Sequence, residues 1–317
     1  MEYNSNSIVN ADNSSSTSNK TIVVAGATGH LGNRMTAYLL KSGVTVKALV
    51  RQGSNANSVA LLQKEGVLIS EVDFNNQGQL AKVCSGGSCL VSALSGLEDV
   101  IIGVQTQLLK AATEAGVPRF IPSDYCIDYT KLSHGSNRNL DLRRQFNERL
   151  NKAPIAATSI LNGMFTDLLT GQAPVILFGL KRVVYWGDSE QLLDFTTIEN
   201  TAEYTARAAL DDNTPRYLRI AGEVINVKGI KKAASEATGQ EFHLLKAGGL
   251  GGLQTMIKIT RVLLPKKNEV FPPWQGMQYL HNMFTGLPKL TPLDNNRYPN
   301  IRWTSIQEVL SKRERKR

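Results

Sequence analysis

Three glycines spaced three apart, Gly26, Gly29 and Gly32 in the stretch "TIVVAGATGHLGNRM", are the first residues whose type and spacing could do chemistry. An apolar run leads into them and a helical pattern follows. At a strand-to-helix turn each has a use: Gly26 permits the sharp turn, Gly29 lets the backbone approach a pyrophosphate, and Gly32 lets the helix pack closely on the strand. The helix N-terminus then offers free N–H groups and a positive dipole end to the anion. A glycine triplet alone is weak, but here strand, loop and helix follow in the required order inside a βαβ unit. Arg51, nineteen residues beyond Gly32, ends the next apolar run. A carboxylate there would hold the ribose 2′-hydroxyl of NAD, whereas a guanidinium favours the 2′-phosphate of NADP. The residues thus point to NADP(H). A second glycine cluster, "AGGLGGL" at residues 247–253, lies outside this series with no charged partner at the expected distance, and reads as a loop entering a helix.

A second group of reactive side chains lies in "IPSDYCIDYTKLSHG", after the fifth apolar run, where open α/β sheets place their ligands. It offers Ser123, Tyr125, Tyr129, Lys131 and His134. Tyr125 stands closest to the strand end and is the first choice to contact substrate or nicotinamide, with a packed aromatic as the alternative. Lys131 could donate a proton if burial lowered its pKa, and is otherwise a solvated loop lysine. His134, beside Gly135, reads as solvated, and Cys126 has the neighbourhood for a redox role. The Tyr-x-x-x-Lys spacing of ordinary short-chain dehydrogenases occurs nowhere in the chain.

Such residues need elements to position them. From Thr21 onward, apolar runs alternate with helical patterns: "TIVVAG", "TVKALVR", "VLISEVD", "SCLVSALS", "RFIPSD" and "AATSILNGMF" read as six strands, with helices between. That alternation implies parallel βαβ units in a doubly wound α/β sheet of Rossmann type. After about Gly163 the alternation breaks, and the rest fits a smaller α+β substrate lobe closing over the sheet's carboxyl edge. The expected organisation is a disordered Asn/Ser-rich leader at 1–20, a nucleotide-binding domain at 21–163, a substrate lobe at 164–311 partly interleaved with it, and a disordered basic tail at 312–317.

Composition narrows the partners. With 317 residues, 42% hydrophobic and 20% charged, the chain can bury a large core. No apolar run approaches the roughly 18 residues of a membrane helix, so no membrane partner is expected. The net charge of +9 suggests nucleic acid, yet "KRERKR" at the end carries five bases and one acid, so +4 of it sits in the tail and no nucleic-acid motif accompanies the rest. Cys84, Cys89 and Cys126 match no zinc spacing and read as free thiols in a reducing cytoplasm; no metal is expected.

"VVAGATGHLG", "LVR", "RFIPSD" and "ILNGMF" together resemble the NmrA-like and isoflavone-reductase-like atypical short-chain dehydrogenases, over about residues 21–310. The resemblance implies a Rossmann fold with a smaller C-terminal substrate domain. Some members reduce aromatic or enone-type substrates with NADPH; others bind nucleotide as sensors and act through a protein partner. It also implies that Thr28, His30 and Leu31 lie in the phosphate loop and that Arg51 with Gln52 faces the 2′-phosphate. Asp73 and Phe74 would flank the adenine, Ser92, Ala93 and Leu94 the ribose path, and Asn162 and Gly163 the nicotinamide. Isoflavone-type reductases carry a lysine on the helix after the fifth strand, where this sequence has Arg143. A guanidinium can stabilise an oxyanion but cannot donate a proton. Leu142, Phe146 and Leu150 should face the core, and Arg144 with Glu148 should form a surface pair, leaving Arg143 for the cleft, with another solvated arginine as the alternative. Two readings stay open: a reductase of a small aromatic or conjugated carbonyl compound, and a non-catalytic nucleotide sensor.

Overall fold

The computed structural model describes residues 20–315. Its first strand shows why the apolar runs are unbroken. In β1 (Thr21–Ala25), Ile22 and Val24 point into one layer of the core, Val23 and Ala25 into the other, and all four are fully buried. A sheet covered on both faces demands that pattern.

The chain continues through α1 (His30–Lys41), β2 (Thr45–Arg51), α2 (Ala56–Lys64), β3 (Leu68–Val72), α3 (Gln77–Cys84) and β4 (Cys89–Ser92). A π-helical turn at Asp99–Val104 leads into α4 (Gln105–Glu114), followed by β5 (Arg119–Ile121), α5 (Arg138–Leu150) and β6 (Ala156–Ala157). Asparagines start three of these helices, Asn55, Asn76 and Asn137 each accepting a first-turn N–H. The six strands are parallel in the order β3-β2-β1-β4-β5-β6. The order reverses between β1 and β4, and a crevice at that switch point is where such sheets bind ligands.

Beyond β6 the strands are short: β7 (Ser159–Leu161), β8 (Met164–Phe165), β9 (Ile176–Leu177), β10 (Arg182–Tyr185) and β11 (Leu193–Thr196). Next come α6 (Ile198–Leu210), β12 (Tyr217–Arg219), β13 (Glu223–Ile225), α7 (Val227–Thr238), β14 (His243–Lys246), α8 (Leu250–Leu263), α9 (Pro273–Phe284) and α10 (Ile306–Glu314). Most of them surround a second core holding Trp186, Phe195, Phe242 and Phe284. Helix α6 instead returns to the first core, where Ala202, Ala206 and Ala209 join Met35 and Leu39 of α1. The "AGGLGGL" stretch does enter a helix, α8, with Gly249 at its N-cap.

Two buried acids are paired across distant segments. Asp128, fully buried, pairs with Arg219 at 2.7 Å. Asp194 pairs with Lys289 and accepts the Leu290 N–H at 2.8 Å. Burial, partly offset by these donors, still holds the Asp194 carboxyl above its ordinary range.

The basic tail departs from expectation. Lys312–Glu314 belong to α10, started by a Ser305–Glu308 capping box and anchored by buried Ile306 and Leu310. Arg313 donates to the Thr170 carbonyl at 2.8 Å and lies 3.6 Å over the Phe178 ring. Charge density suggested a solvated tail, but capping and an apolar stripe decide the helix. Residues 1–19 of the expected 1–20 leader, and the last two residues, lie outside the described residues.

Candidate functional site

The three glycines differ in what they leave free. Gly26 sits at φ +89°, and a Cβ there would lie 2.6 Å from the Ala93 carbonyl oxygen. A Cβ on Gly32 would lie 2.1 Å from the Gly26 carbonyl oxygen. Both positions therefore exclude a side chain. Gly29 is looser: its Cβ would meet only the Gly26 oxygen, at 3.3 Å. Gly29 is the N-cap of α1, with no side-chain cap and no acid in the first turn. Thr28, Gly29 and His30 are exposed, and Leu31 is half-buried against the core. The helix thus opens with N–H groups that no side chain satisfies, a fit for a phosphate.

The adjacent strand ends extend this site. Arg51, the last residue of β2, and Gln52 are exposed. Asp73 follows β3, also exposed, and turns the chain by accepting the Asn75 N–H at 2.9 Å. Phe74 is half-buried against the opposite core layer. Across the switch point, Ala93 and Leu94 are part-exposed, whereas Ser92 is fully buried. Its hydroxyl is 2.9 Å from that of Ser123, which accepts the Leu94 N–H at 2.7 Å. Ser92 thus fixes the β4 edge from below, and the strand end presents Ala93 and Leu94.

Just after β7, Asn162 donates its backbone N–H to the Cys126 carbonyl at 2.9 Å, and its carbonyl accepts from the Thr196 hydroxyl at 2.7 Å. Its side-chain amide is fully buried, with neither end partnered among the described residues. An unsatisfied buried amide needs an explanation, and a ligand's polar group supplies one. Gly163 has φ +70°, and a Cβ would lie 2.3 Å from the Asp194 carbonyl oxygen.

Arg143 donates to the Asn139 carbonyl at 2.9 Å, while its buried Nε has no partner among the described residues. Burial works against its charge, but Tyr279, Cys126, Asp124 and Tyr129 outweigh that, and the guanidinium is held above its ordinary range. It stays a cation. Arg144 is not in a surface pair with Glu148: it donates to the Tyr129 and Leu132 carbonyls, both at 2.8 Å, pinning the loop between β5 and α5. Two loop carbonyls within reach of one guanidinium outcompete an exposed carboxylate.

The other proton-donor candidates are corrected by their surroundings. The Tyr125 hydroxyl is buried near Thr205 with no hydrogen-bond partner among the described residues, and its ring packs with the α1–α6 core. Burial pushes it well above its ordinary range. Lys131 donates to the Lys289 carbonyl at 2.6 Å and lies 3.7 Å from Asp128, so it straps the loop to the 289–291 segment. We expect Tyr125→Phe to retain turnover within about twofold and stability within about 1 kcal/mol, since no hydrogen bond is lost. A tenfold fall in kcat would restore Tyr125 as a donor. His134 is exposed, and burial drives the Cys126 thiol above its ordinary range, which keeps it protonated and unreactive.

Residues 18–247 match the model of the NmrA-like family. This chain belongs to that family. Pinoresinol reductase 1 of Arabidopsis thaliana is 28% identical over 207 residues, covering 61% of this chain and 65% of that protein, so the chain spans less than two thirds of that relative. The bifunctional pinoresinol-lariciresinol reductase of Linum album is 23% identical over 92% of this chain and 93% of its own. Among solved structures, the binary complex of leucoanthocyanidin reductase with NADPH from Vitis vinifera superposes with a TM-score of 0.77 at 16% identity, over 92% and 99% of the two chains. The last likeness is one of fold.

The structure of this NmrA-like protein also brings together residues that the sequence did not single out. Asp124, fully buried, accepts from Tyr129 at 2.9 Å, Asn147 at 2.7 Å and Ser159 at 2.6 Å. Arg216 donates to Ser159 at 2.7 Å and to Asn147. The network reaches Arg143 through Asn147, whose amide donates to the Arg143 carbonyl at 3.0 Å. Asp124 had a signal, its place at the end of "RFIPSD"; Asn147 lies one turn after Arg143 on α5, while Arg216 and Tyr279 come from distant segments and had none.

Proposed function

We propose that this protein is an NADP(H)-dependent reductase of a small aromatic or conjugated carbonyl compound. One observation carries the reading. The uncapped N-terminus of α1 lies at the switch point with Arg51 ending the neighbouring strand, while the half-buried Arg143 cation and the unpartnered Asn162 amide lie beyond β5. The relatives' named activities, on pinoresinol and lariciresinol, agree with it. NADPH, when bound, supplies a hydride from its nicotinamide. The chain's residues do the rest: the first-turn amides of α1 and Gly29 hold pyrophosphate, Arg51 the 2′-phosphate, and Asn162 orients a polar group. Arg143 stabilises the negative charge that develops on the substrate oxygen, and, because a guanidinium keeps its proton, the oxygen takes its proton from water. The three cysteines are free and buried, which fits a reducing compartment such as the cytoplasm.

Charge-assisted bonds from Arg51 to a 2′-phosphate are each worth about 1.5–3 kcal/mol. Arg51→Ala should therefore weaken NADPH binding at least about tenfold and leave NADH binding nearly unchanged, as read by calorimetry. Equal losses for both nucleotides would remove the 2′-phosphate assignment. Loss of NADPH absorbance across a panel of aromatic aldehydes, quinones and enones tests the reaction class. Sound nucleotide binding with no oxidation across that panel would instead favour a nucleotide sensor.

A further inference from the structure

Helix α8 is bound to the body by one face only. Leu253 and Ile257 are buried against the second core, while Met256, Ile259, Val262 and Leu263 lie on the outside, 41%, 54%, 79% and 71% exposed. Positions 256, 259 and 263 repeat at helical spacing, so they form one stripe, which Val262 widens. Leu264 and Phe271, just beyond the helix, are 48% and 61% exposed. Isolated exposed apolar residues need no account, but six of this size within sixteen residues form a patch that a soluble surface rarely carries.

The charge around the stripe is of one sign. Residues 242–271 hold five bases, Lys246, Lys258, Arg261, Lys266 and Lys267, against a single acid, Glu269. That acid is already matched by Lys266 at 2.8 Å. Lys258, Arg261 and Lys267 are exposed, with Arg261 also stacked over Trp274 at 5.1 Å. The segment after α8 is held in place, since Trp274 donates to the Pro265 carbonyl at 3.0 Å and Arg138 to those of Lys267, Glu269 and Val270.

We infer that the outer face of α8 and the 264–271 segment dock peripherally on an anionic lipid surface. An apolar stripe flanked by cations on a helix lying flat is the arrangement that buries in the headgroup region and pairs with acidic lipids. A second copy of the chain would bring like charges face to face. A partner that wraps a basic amphipathic helix would need the face that Leu253 and Ile257 occupy. No helix among the described residues is long and apolar enough to cross a membrane, so the contact is one of surface.

The test is co-sedimentation of the full chain with phosphatidylcholine vesicles, with and without phosphatidylserine. Binding is expected only with phosphatidylserine and should fall as salt rises. Val262→Ser with Leu263→Ser should lower it about tenfold per side chain, and Lys258→Gln with Lys267→Gln about fivefold per lysine. All four positions are exposed, so circular dichroism and NADPH affinity should match the parent. Equal binding to both vesicle types, or none, would overturn the proposal, as would variants that bind like the parent. Retention on immobilised polyglutamate without vesicle binding would point to an acidic protein instead. A dimer in analytical ultracentrifugation that Val262→Ser with Leu263→Ser abolishes would point to a second copy, and each of these results overturns the lipid assignment.

Discussion

Arg143→Ala is expected to lower kcat by about 10²-fold or more while leaving NADPH affinity within about twofold. The proposed role rests on an environment that holds the guanidinium charged, with Tyr279, Cys126, Asp124 and Tyr129 around it. Removing a preorganised stabiliser of developing charge costs about 10²–10³ in rate, and a group that acts only in the transition state shows itself in kcat rather than in ground-state binding. Arg143→Lys should recover part of the rate, because an ammonium supplies the charge without the planar fork. Steady-state kinetics on any substrate from the carbonyl panel, with calorimetry on NADPH, makes the comparison. A variant that keeps full kcat would clear Arg143 from the site, whereas loss of nucleotide affinity in proportion to rate would make it a structural residue of α5.

The second large effect separates two glycines three residues apart. In Gly32→Ala the new methyl meets the Gly26 carbonyl oxygen at 2.1 Å, a backbone atom that cannot turn aside. Overpacking of this kind costs about 1–3 kcal/mol. The variant should unfold at lower denaturant and bind NADPH too weakly to measure, because the turn itself must open. In Gly29→Ala the same methyl meets only one oxygen at 3.3 Å, so the fold should keep its stability. The methyl then stands at the exposed N-cap where the first-turn amides are offered, and NADPH affinity should drop by about tenfold or more. Urea unfolding and nucleotide titration on both variants give the contrast. If Gly29→Ala binds like the parent, the pyrophosphate lies elsewhere; if Gly32→Ala keeps its stability, the close packing of the turn is not what fixes that position.

What was legible in the sequence was what depends on local order. Unbroken apolar runs announced a sheet buried on both faces, and the glycine triplet announced the tight turn from β1 into α1, because each signal is local in the chain. The lost parts depend on distance. Tyr125 stands at the right strand end, but whether its ring points to the crevice or into the α1–α6 core is decided by α6, some eighty residues later. Lys131 reads as a free loop lysine until the carbonyl of Lys289 is folded onto it. The Arg144 side chain goes to the loop carbonyls of Tyr129 and Leu132, which no helical-spacing rule could anticipate. The tail was misjudged for another reason: its charges mask a short stripe, Ile306 and Leu310, that is enough to hold a capped helix.

The path of α6 carries a consequence for how the molecule can move. The chain leaves the first core, builds part of the second, and then sends an alanine-lined helix back to lie against α1 before returning. Small side chains on that helix let the two backbones sit close, leaving little room for sliding. The halves are therefore stitched rather than hinged. Cutting at residue 163 would strip α1 of its cover instead of releasing two modules, because α1 and α6 share one core. The body behaves as one mechanical unit.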